Sequence, residues 1–407
     1  MIFDMKTIFV LIDALKSSYL TEENMPFLYS LSKKSRHIHE VIPGPGFCER
    51  SEIFSGLDAF DTGNFTAIGF DRDNSEYKSI SVGFFRFLDV FNRKVSRILF
   101  NRCIRKKTKM SSYYIPYHLL KDFSLTEDGD IKYVPHNEIA DVLTNENKTF
   151  SFSCFTSLSG ITPSFNSIVE LLTKEIKKAT YFIPVYIGII DYYGHRHGQD
   201  IASIRPHLID VDQKLKEIYE MALASNYSIC FLGDHGMIPV KKYIDILKPV
   251  KRTGLMLNKD YCVFLDSTIA RFWFFNDNAR NVITNLLIKE FSNDGILIDA
   301  DNSKDYRIPL DVRSSGGKPL YGDLLWFANK GTLISPDFFH YKNADEKGMH
   351  GYLEQSNGDG TGLFISVSPL SKKEQINSRH LTDICEELCS LLEIEHPNKN
   401  WKRDING

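Results

Sequence analysis

The segment Thr7-Ile-Phe-Val-Leu-Ile-Asp13 is a continuous apolar run that ends in an acidic residue. The same pattern recurs in Val185-Tyr-Ile-Gly-Ile-Ile-Asp191 and in Tyr227-Ser-Ile-Cys-Phe-Leu-Gly-Asp234. Apolar runs of this length are typical of strands that are buried on both faces, as in a parallel sheet covered by helices. Between the second and third runs, residues 201–225 carry apolar side chains at helical spacing. The sequence therefore predicts a strand–helix–strand unit with a right-handed crossover.

The acidic residues that end these runs predict where a ligand would bind. In open α/β sheets, ligands bind at the carboxyl ends of the parallel strands. Asp13, Asp191 and Asp234 each follow a predicted strand, so we expect the three carboxylates to converge at one edge. Buried carboxylates that lie together need cations to compensate their charge. The fold class that the pattern favours is α/β, a three-layer sandwich with a mostly parallel central sheet between helices.

The composition is that of a folded, enzyme-sized protein. Its 407 residues are 43% hydrophobic and 25% charged, which excludes a disordered, collagen-like or coiled-coil chain. The 49 Lys and Arg residues nearly balance the 52 Asp and Glu residues, so the net charge of −3 gives no general attraction to nucleic acid. The length predicts one large domain with insertions, or two domains.

Cysteine spacing and apolar run lengths bear on the cell compartment. None of the seven cysteines forms a Cys-x-x-Cys pair, so neither a zinc knuckle nor a disulfide framework is predicted. The apolar run Thr7–Ile12 is too short for the core of a signal peptide. No uninterrupted apolar stretch approaches the ~20 residues that a membrane-spanning helix needs. We therefore expect a cytoplasmic protein.

Two segments differ from the predicted core and are expected to be insertions. Residues 72–146 contain a Phe-rich stretch and then eight basic and no acidic residues between Arg93 and Lys109, which predicts a basic amphipathic helix. Residues 84–109 could present a solvated helix face or make peripheral contact with the anionic inner face of a membrane. Without a recognised module, this patch does not predict specific nucleic-acid binding. Residues 255–341 mix strand and helix patterns, as expected for a smaller inserted α+β subdomain.

Three histidines accompany the acidic residues in short motifs. These motifs are Asp191-Tyr-Tyr-Gly-His195, Asp234-His235-Gly236 and Gly348-Met-His350-Gly351. Each alone is compatible with a turn or an exposed loop, but together with Asp13 they supply three Asp and three His side chains. Mixed nitrogen and oxygen ligands favour Zn²⁺ or Mn²⁺ over Ca²⁺ or Mg²⁺. Six ligands exceed the needs of one tetrahedral zinc, so they predict a two-metal site of the kind that catalyses phosphoryl displacement.

These motifs resemble those of a known enzyme superfamily. The stretches that carry the resemblance are Val10-Leu-Ile-Asp13, Asp191-x-x-Gly194-His195-x-x-Gly198, Gly233-Asp234-His235-Gly236-Met237 and Gly348-x-His350-Gly351-Tyr352. They are similar to the metal motifs of the alkaline phosphatase superfamily, and most of all to its nucleotide pyrophosphatase/phosphodiesterase branch. The resemblance implies a single alkaline phosphatase-like catalytic domain over residues 1–407, interrupted by the two insertions.

The resemblance also implies a set of metal ligands. In the family, one metal ion is bound by the residues that match Asp191, His195 and His350. The other ion is bound by those that match Asp13, Asp234 and His235, beside a Thr or Ser nucleophile. Two divalent ions are therefore expected as cofactors, with Zn²⁺ preferred and Mn²⁺ as the alternative.

The nucleophile is the point at which the sequence departs from the family. The family places it ten residues before the Gly of a Thr-Gly pair; Ser55-Gly56 resembles that pair, and Gly46 lies ten residues earlier. Glycine has no side chain, so we predict that Cys48 takes the role, because a helix start and a neighbouring metal both favour a thiolate. Two alternatives remain open, attack by a metal-bound hydroxide and attack by Ser51. Cys48 could also be a buried structural thiol.

The predicted function is hydrolysis of phosphoester bonds by in-line attack on phosphorus, as in a phosphodiesterase or nucleotide pyrophosphatase that acts on a nucleotide-like small molecule. The alternatives are a phosphomonoesterase or phosphotransferase of the same superfamily, or a non-catalytic metal-binding scaffold that has lost the nucleophile. Arg50 and Arg271 are candidates for phosphate or pocket contacts, although Arg271 lies in an aromatic segment that suits core packing equally well. His197 is expected near the site but not as a ligand.

Overall fold

A computed structural model describes residues 5–78, 81–108, 113–126, 134–155, 164–340, 345–354, 358–369 and 372–401, without the side chains of 93 and 105–108. Its strands are β1 (Thr7–Ile12), β2 (Arg36–Ile42), β3 (Ile68–Phe70), β4 (Phe123–Leu125), β5 (Phe182–Ile187), β6 (Ser228–Gly233), β7 (Ile238–Pro239), β8 (Lys242–Ile244), β9 (Tyr261–Leu265), β10 (Ile269–Phe274), β11 (Gly295–Asp299), β12 (Leu324–Ala328), β13 (Thr332–Ile334), β14 (Gly348–Met349), β15 (Gly362–Val367) and β16 (Glu374–His380). Its helices are α1 (Pro26–Ser32), α2 (Glu49–Ser55), α3 (Ala59–Thr62), α4 (Gly83–Phe91), α5 (Arg93–Thr108), α6 (Ile139–Asn145), α7 (Phe165–Lys177), α8 (Ile189–His197), α9 (Ile201–Ala224), α10 (Leu247–Arg252), α11 (Asp277–Phe291) and α12 (Ile384–Leu392).

The central sheet has six strands in the order β16–β2–β15–β6–β1–β5. Strand β1 pairs in parallel with β5 and β6, so that Val10 lies opposite both Val185 and Phe231. Strand β15 runs antiparallel to its neighbours β6 and β2, and β16 pairs in parallel with β2. Five strands therefore run in one direction and β15 in the other, which confirms the prediction of a mostly parallel sheet.

Helices cover both faces of this sheet, as the two-sided apolar pattern of β1 requires. Ile8 and Val10 belong to a buried cluster with side chains of α1, α7 and α9. Phe9 and Leu11, which point to the other face, belong to a second cluster with side chains of α2, α6 and α12. The predicted three-layer α/β/α sandwich is confirmed.

The end of β5 differs from the prediction, which placed Asp191 directly after a strand. The strand ends at Ile187, and the following Ile189-Ile-Asp191 begins helix α8. An apolar run without periodicity does not distinguish the end of a buried strand from the start of a buried helix. Residues four apart on a helix share one face, so Asp191 lies beside His195 in the site.

The two segments predicted to be insertions pack against each other. Within 255–341, strands β9 to β12 form a four-stranded antiparallel sheet in the order β11–β12–β10–β9, and α11 packs on it. Within residues 83–108 of the first segment, the structure has two helices, α4 and α5, where one basic helix was predicted. Phe100 of α5 shares a buried cluster with Phe264 and Trp273 of the small sheet. The division of the chain into a core and two insertions stays a prediction.

Cysteine bonding agrees with the sequence analysis. All seven cysteines lie within the described residues, and none forms a disulfide. Among the helices that the structure describes, none is both long and apolar enough to cross a bilayer.

Asp212 connects the long helix α9 to the start of α1. Its side chain is buried, and it accepts hydrogen bonds from the backbone N–H groups of Phe27 and Leu28 at 2.8 and 2.9 Å. The first N–H groups of a helix have no partner within the helix, so Asp212 supplies acceptors that α1 would otherwise lack. On the same helix, Asp210 is exposed and forms an ion pair with Lys214.

We therefore expect Asp212→Ala to lower the free energy of unfolding by about 1–3 kcal/mol, because the buried N–H of Leu28 and the partly buried N–H of Phe27 lose their acceptor. Asp210→Ala is the matched control and should change the same quantity by less than about 0.5 kcal/mol. Urea unfolding followed by circular dichroism measures both values. Equal stabilities of the two variants would contradict this account of α1.

Candidate metal centre

The predicted ligands meet in one cavity of about 310 Å³ at the carboxyl edge of the central sheet. Asp13 follows β1, Asp234 and His235 follow β6, and His350 follows β14. The remaining two come from one face of α8. All six predicted metal ligands line this cavity: Asp13, Asp191, His195, Asp234, His235 and His350.

One group of candidate ligands consists of Asp191, His195 and His350, with one possible ligand atom from each within 4.8 Å of the others. The Nε2 atom of His195 lies 3.1 Å from Oδ1 of Asp191, and Nε2 of His350 lies 3.7 Å from the same oxygen. Two imidazole nitrogens and a carboxylate oxygen therefore face a common space, which is the ligand type that divalent transition metals prefer.

The second group consists of Asp13, Asp234 and His235, again within 4.8 Å of one another. The Nε2 atom of His235 lies 3.0 Å from Oδ1 of Asp13 and 3.9 Å from Oδ1 of Asp234. The rings of His235 and His350 stack with centroids 3.9 Å apart, so the two groups are adjacent.

Hydrogen bonds to the backbone orient two of the imidazoles. Nδ1 of His195 lies 3.0 Å from the carbonyl oxygen of Gly348, and Nδ1 of His235 lies 2.8 Å from that of Gly236. A carbonyl oxygen accepts only, so each Nδ1 carries the hydrogen. In the neutral rings, Nε2 is then the free lone pair, as is usual for a metal-binding histidine.

Two glycines of the ligand motifs lie where helix α8 packs closely against strand β14. A Cβ atom on Gly348 would lie 2.5 Å from Cγ of Met237 and 2.6 Å from the carbonyl oxygen of Gly194. A Cβ atom on Gly194 would lie 2.8 Å from Cε of the same methionine. Gly348 is therefore required where α8 packs against β14, since its Cβ would meet backbone, whereas a Cβ on Gly194 would displace the end of the flexible Met237 side chain. This contact sets the position of His195 relative to His350.

Charges in the cavity shift the pKa values of its side chains. Burial lowers the pKa of His195, but the neighbouring Asp191 carboxylate outweighs burial and raises this pKa to about 9. Burial raises the pKa of Asp191, yet the nearby histidines bring it below its ordinary value. Burial raises the pKa of Asp234 to about 8. In the cavity, protonated imidazoles thus compensate the negative charge of the carboxylates, which is the role that a bound cation could take over.

Two buried polar atoms of the cavity have no hydrogen-bond partner among the described residues. They are Nδ1 of His350 and Oε1 of Glu49. Unpartnered polar atoms are costly in a protein interior and usually indicate a role or a bound group. Together with the mixed Asp and His donors, they show that these side chains fit divalent cations.

Glu49 is a cavity residue that the sequence reasoning missed. It is the first residue of α2, and it forms a third possible ligand group with His235 and His350. An acidic residue in the first turn of a helix is common because it interacts favourably with the helix dipole, so its type and place gave no separate signal. The hydroxyl of Tyr186, also missed, donates a hydrogen bond to Oδ2 of Asp13.

Cys48 and Ser51, the two candidate nucleophiles, do not belong to the described lining of the cavity. Cys48 is buried immediately before α2, and neither residue is among the described side chains that line the cavity, whereas Glu49 and Arg50 are. The Ser51 hydroxyl accepts a hydrogen bond from Nδ2 of Asn64 at 3.2 Å. The role predicted for Cys48 stays a prediction.

Of the three other candidates from the sequence, Arg50 lines the described cavity, whereas Arg271 and His197 do not. The guanidinium of Arg50 lies 4.7 Å from the ring centroid of Phe155. Arg271 is fully buried in the small sheet, where its Nε donates to Asp266 at 2.7 Å, so it belongs to the core. The ring of His197 stacks on Tyr193, and it does not line the described cavity.

Both predicted insertions reach the cavity. Tyr113, from 72–146, and Phe339, from 255–341, line it, and their ring centroids are 4.9 Å apart. The backbone N–H of Tyr114 donates to the carbonyl oxygen of Phe338 at 2.8 Å. The cavity is therefore built from the core on one side and from the two inserted segments on the other.

A sequence model of the type I phosphodiesterase/nucleotide pyrophosphatase family matches residues 94–353. The chain belongs to this family. The match includes five of the six candidate ligands and leaves out Asp13. The family is generally metal-dependent, which agrees with the ligand groups of the cavity, and membership identifies the chain as a phosphodiesterase-like hydrolase. No curated protein sequence matches the chain.

Solved structures of the family are similar to this chain over nearly its whole length. Human ectonucleotide pyrophosphatase/phosphodiesterase 5 has a TM-score of 0.65 at 16% identity and covers 96% of this chain and 95% of its own. The murine protein has a TM-score of 0.66 at 17% identity, with coverages of 98% and 97%. An inactive murine variant in complex with AMP has a TM-score of 0.66 at 16% identity, with the same coverages. These similarities show the alkaline phosphatase-like fold.

The raised pKa of His195 predicts how metal binding depends on pH. At pH 7.5 the metal-free protein carries a proton on His195, and a metal ion at Nε2 must displace it. Zinc binding should therefore release about one proton more in the wild type than in His195→Gln, and zinc affinity should rise between pH 6 and pH 9. Calorimetry in buffers of different ionisation enthalpy measures this release. A heat of binding independent of the buffer would contradict the prediction.

Proposed function

We propose that the protein cleaves a phosphodiester or pyrophosphate bond in a nucleotide-like small molecule with the help of two divalent cations. The observation that carries this proposal is the gathering of two separate Asp/His groups on one cavity of a family hydrolase. Zn²⁺ is the ion that the donor set suits best, and Mn²⁺ is the alternative.

Each group would bind one ion. Asp191, His195 and His350 would bind the first, while the second would be bound by Asp13, Asp234 and His235. When bound, such a pair of ions stabilises the charge of the attacking and leaving oxygens during displacement at phosphorus. The ring of His350 from the first group stacks on the ring of His235 from the second, which supports sites close enough for one phosphate to contact both.

Other cavity residues would bind and orient the substrate. Arg50 is positioned for a phosphate oxygen, since a guanidinium binds two oxygens at once. The rings of Phe47, Tyr113 and Phe339 line the same cavity and would contact an apolar or aromatic part of the substrate. The AMP complex of the murine structure supports a nucleotide-like substrate.

A direct test compares two substrates and two aspartates. We expect the protein to hydrolyse bis(4-nitrophenyl) phosphate faster than 4-nitrophenyl phosphate. Asp234→Ala should lower the diester rate at least about a hundredfold, because it removes a ligand of one ion. Asp210→Ala, an exposed aspartate on α9, is the control and should leave the rate unchanged.

The alternatives give different results in the same experiment. A faster rate on the monoester would favour a phosphomonoesterase over a phosphodiesterase. Transfer of phosphate to an added alcohol rather than to water would indicate a phosphotransferase. Metal analysis of the purified protein without near-stoichiometric zinc or manganese would contradict the proposal.

Glu49 has a role in this proposal as the partner of His350. Its Oε1 lies 3.9 Å from Nδ1 of His350, and both atoms are buried without a hydrogen-bond partner among the described residues. A metal-binding histidine usually donates its other N–H to a carboxylate or carbonyl, which fixes the ring and makes the ligand nitrogen more basic. His195 and His235 use backbone carbonyls for this purpose. Glu49 would do so for His350.

Replacing Glu49 separates this role from that of its neighbour. We expect Glu49→Gln to weaken zinc binding by about 10- to 100-fold, as loss of a histidine's carboxylate partner commonly does, and to lower turnover with it. Calorimetric titration of the metal-free variant measures the affinity. The control is Glu22→Gln, which changes an exposed side chain elsewhere in the sequence. An unchanged zinc affinity would contradict the role given to Glu49.

The same assay tests the prediction for Cys48. A thiol nucleophile requires that Cys48→Ala lose diester turnover while its zinc affinity stays that of the wild type. Equal turnover in Cys48→Ala, Cys48→Ser and the wild type would exclude Cys48 and leave the two alternatives, direct attack by hydroxide and attack by Ser51. The cytoplasmic location and the absence of specific nucleic-acid binding stay predictions of the sequence.

A further inference from the structure

The outer face of helices α4 and α5 carries an unusual number of exposed apolar side chains. Val90 is 83% exposed, and Phe91 is 73% exposed. The other members of this face are between 40% and 63% exposed: Phe84, Phe87, Val95, Ile98 and Leu99. Large exposed apolar patches on a soluble protein usually mark a binding surface. We call these seven side chains the hairpin face.

The hairpin face is attached to the body of the protein through its inner side. Phe85 of α4 packs on Phe100 of α5, which packs on Tyr117, with ring centroids 4.9 Å apart in both contacts. The Ser96 hydroxyl donates to the carbonyl oxygen of Phe85 at 2.7 Å and lies 2.8 Å from the Tyr117 hydroxyl. The inner residues are thus fixed, and the outer ones are presented to solvent.

Basic residues accompany the hairpin face. Arg86, Lys94 and Arg102 are exposed on the same two helices. Residues 81–110 contain nine Lys and Arg residues and one acidic residue, Asp89. A positive charge of this density next to apolar side chains matches an anionic surface whose interior is hydrocarbon.

We propose that the hairpin face binds the surface of a bilayer that contains anionic lipid. The apolar side chains would enter the boundary between head groups and acyl chains, and the basic residues would contact the lipid phosphates and carboxylates. Phe84, Phe87 and Phe91 lie at spacings of three and four residues, so they share one side of α4 and enter together.

Two other occupants agree less well with these side chains. A second copy of the chain would bring one basic hairpin against another, which like-charge repulsion opposes. Single-stranded nucleic acid binds basic surfaces by stacking its bases on aromatic rings. Val90, Val95, Ile98 and Leu99 offer no ring for stacking, whereas aliphatic side chains suit acyl chains.

Vesicle sedimentation with the full-length protein tests the proposal. We expect binding to phosphatidylcholine vesicles that contain about 30% phosphatidylserine, little binding to phosphatidylcholine alone, and weaker binding as salt rises to about 0.5 M. Phe84→Ser/Phe91→Ser should lower the binding at least about tenfold. Lys94→Glu/Arg102→Glu should lower it to a similar extent, because it reverses two charges.

Matched controls keep the comparison interpretable. Leu223→Ser/Ile288→Ser changes two apolar side chains elsewhere that are 47% and 51% exposed, and Lys248→Glu/Lys289→Glu reverses two exposed charges outside the hairpin. Both controls should bind vesicles like the wild type. Circular dichroism and diester turnover in solution should be equal in all variants, which shows that the hairpin variants fold.

Three results would overturn the proposal. The first is the absence of wild-type binding to the anionic vesicles. The second is a dimer in analytical ultracentrifugation that Phe84→Ser/Phe91→Ser converts to a monomer, because the hairpin face would then be covered by a second copy. The third is displacement from vesicles by a short single-stranded oligonucleotide whose own binding depends on the same two phenylalanines.

Discussion

The concentration of acidic side chains in one cavity is the constraint on which the rest of the structure depends. Asp13, Asp191, Asp234 and Glu49 lie there together, and their mutual repulsion in a low-dielectric setting would oppose folding without compensation. The surrounding histidines and the proposed cations supply the opposite charge. The pKa values of the site express this balance, since Asp191 lies below its ordinary pKa beside the histidines while burial raises that of Asp234.

The fold meets this constraint by bringing chain ends and turns to one edge of a rigid sheet. β1 and β6 are neighbours and deliver their carboxylates side by side, while α8 contributes one helix face. The close contact of Gly194 and Gly348 with Met237 lets α8 approach β14. Because each candidate ligand is attached to a packed element, the two groups are already positioned, which would lower the cost of ordering the site when the proposed ions bind.

The side of the cavity opposite the candidate ligands comes from other parts of the chain. Tyr113 and Phe339 come from the two predicted insertions and line this side, so in the proposed function substrate selection would rest on segments outside the metal motifs. The hairpin of α4 and α5 belongs to the first of these insertions. One segment would therefore serve two purposes, contact with the substrate at one end and contact with a membrane surface at the other.

The sequence by itself determined the α/β class, the buried strands β1, β5 and β6, the long helix α9 and the six candidate ligands, because buried strands and short ligand motifs leave direct patterns of residue type and spacing. It did not determine the end of β5, since an apolar run continues from strand into helix without a change in pattern. Glu49 was also missed, because an acid in a first helical turn is ordinary until the tertiary structure places it opposite His350. Only the tertiary structure decided that Arg271 belongs to the core, that Arg50 reaches the cavity and that seven apolar side chains of the hairpin face solvent. Those properties depend on which distant segments pack together, and spacing along the chain carries no information about that.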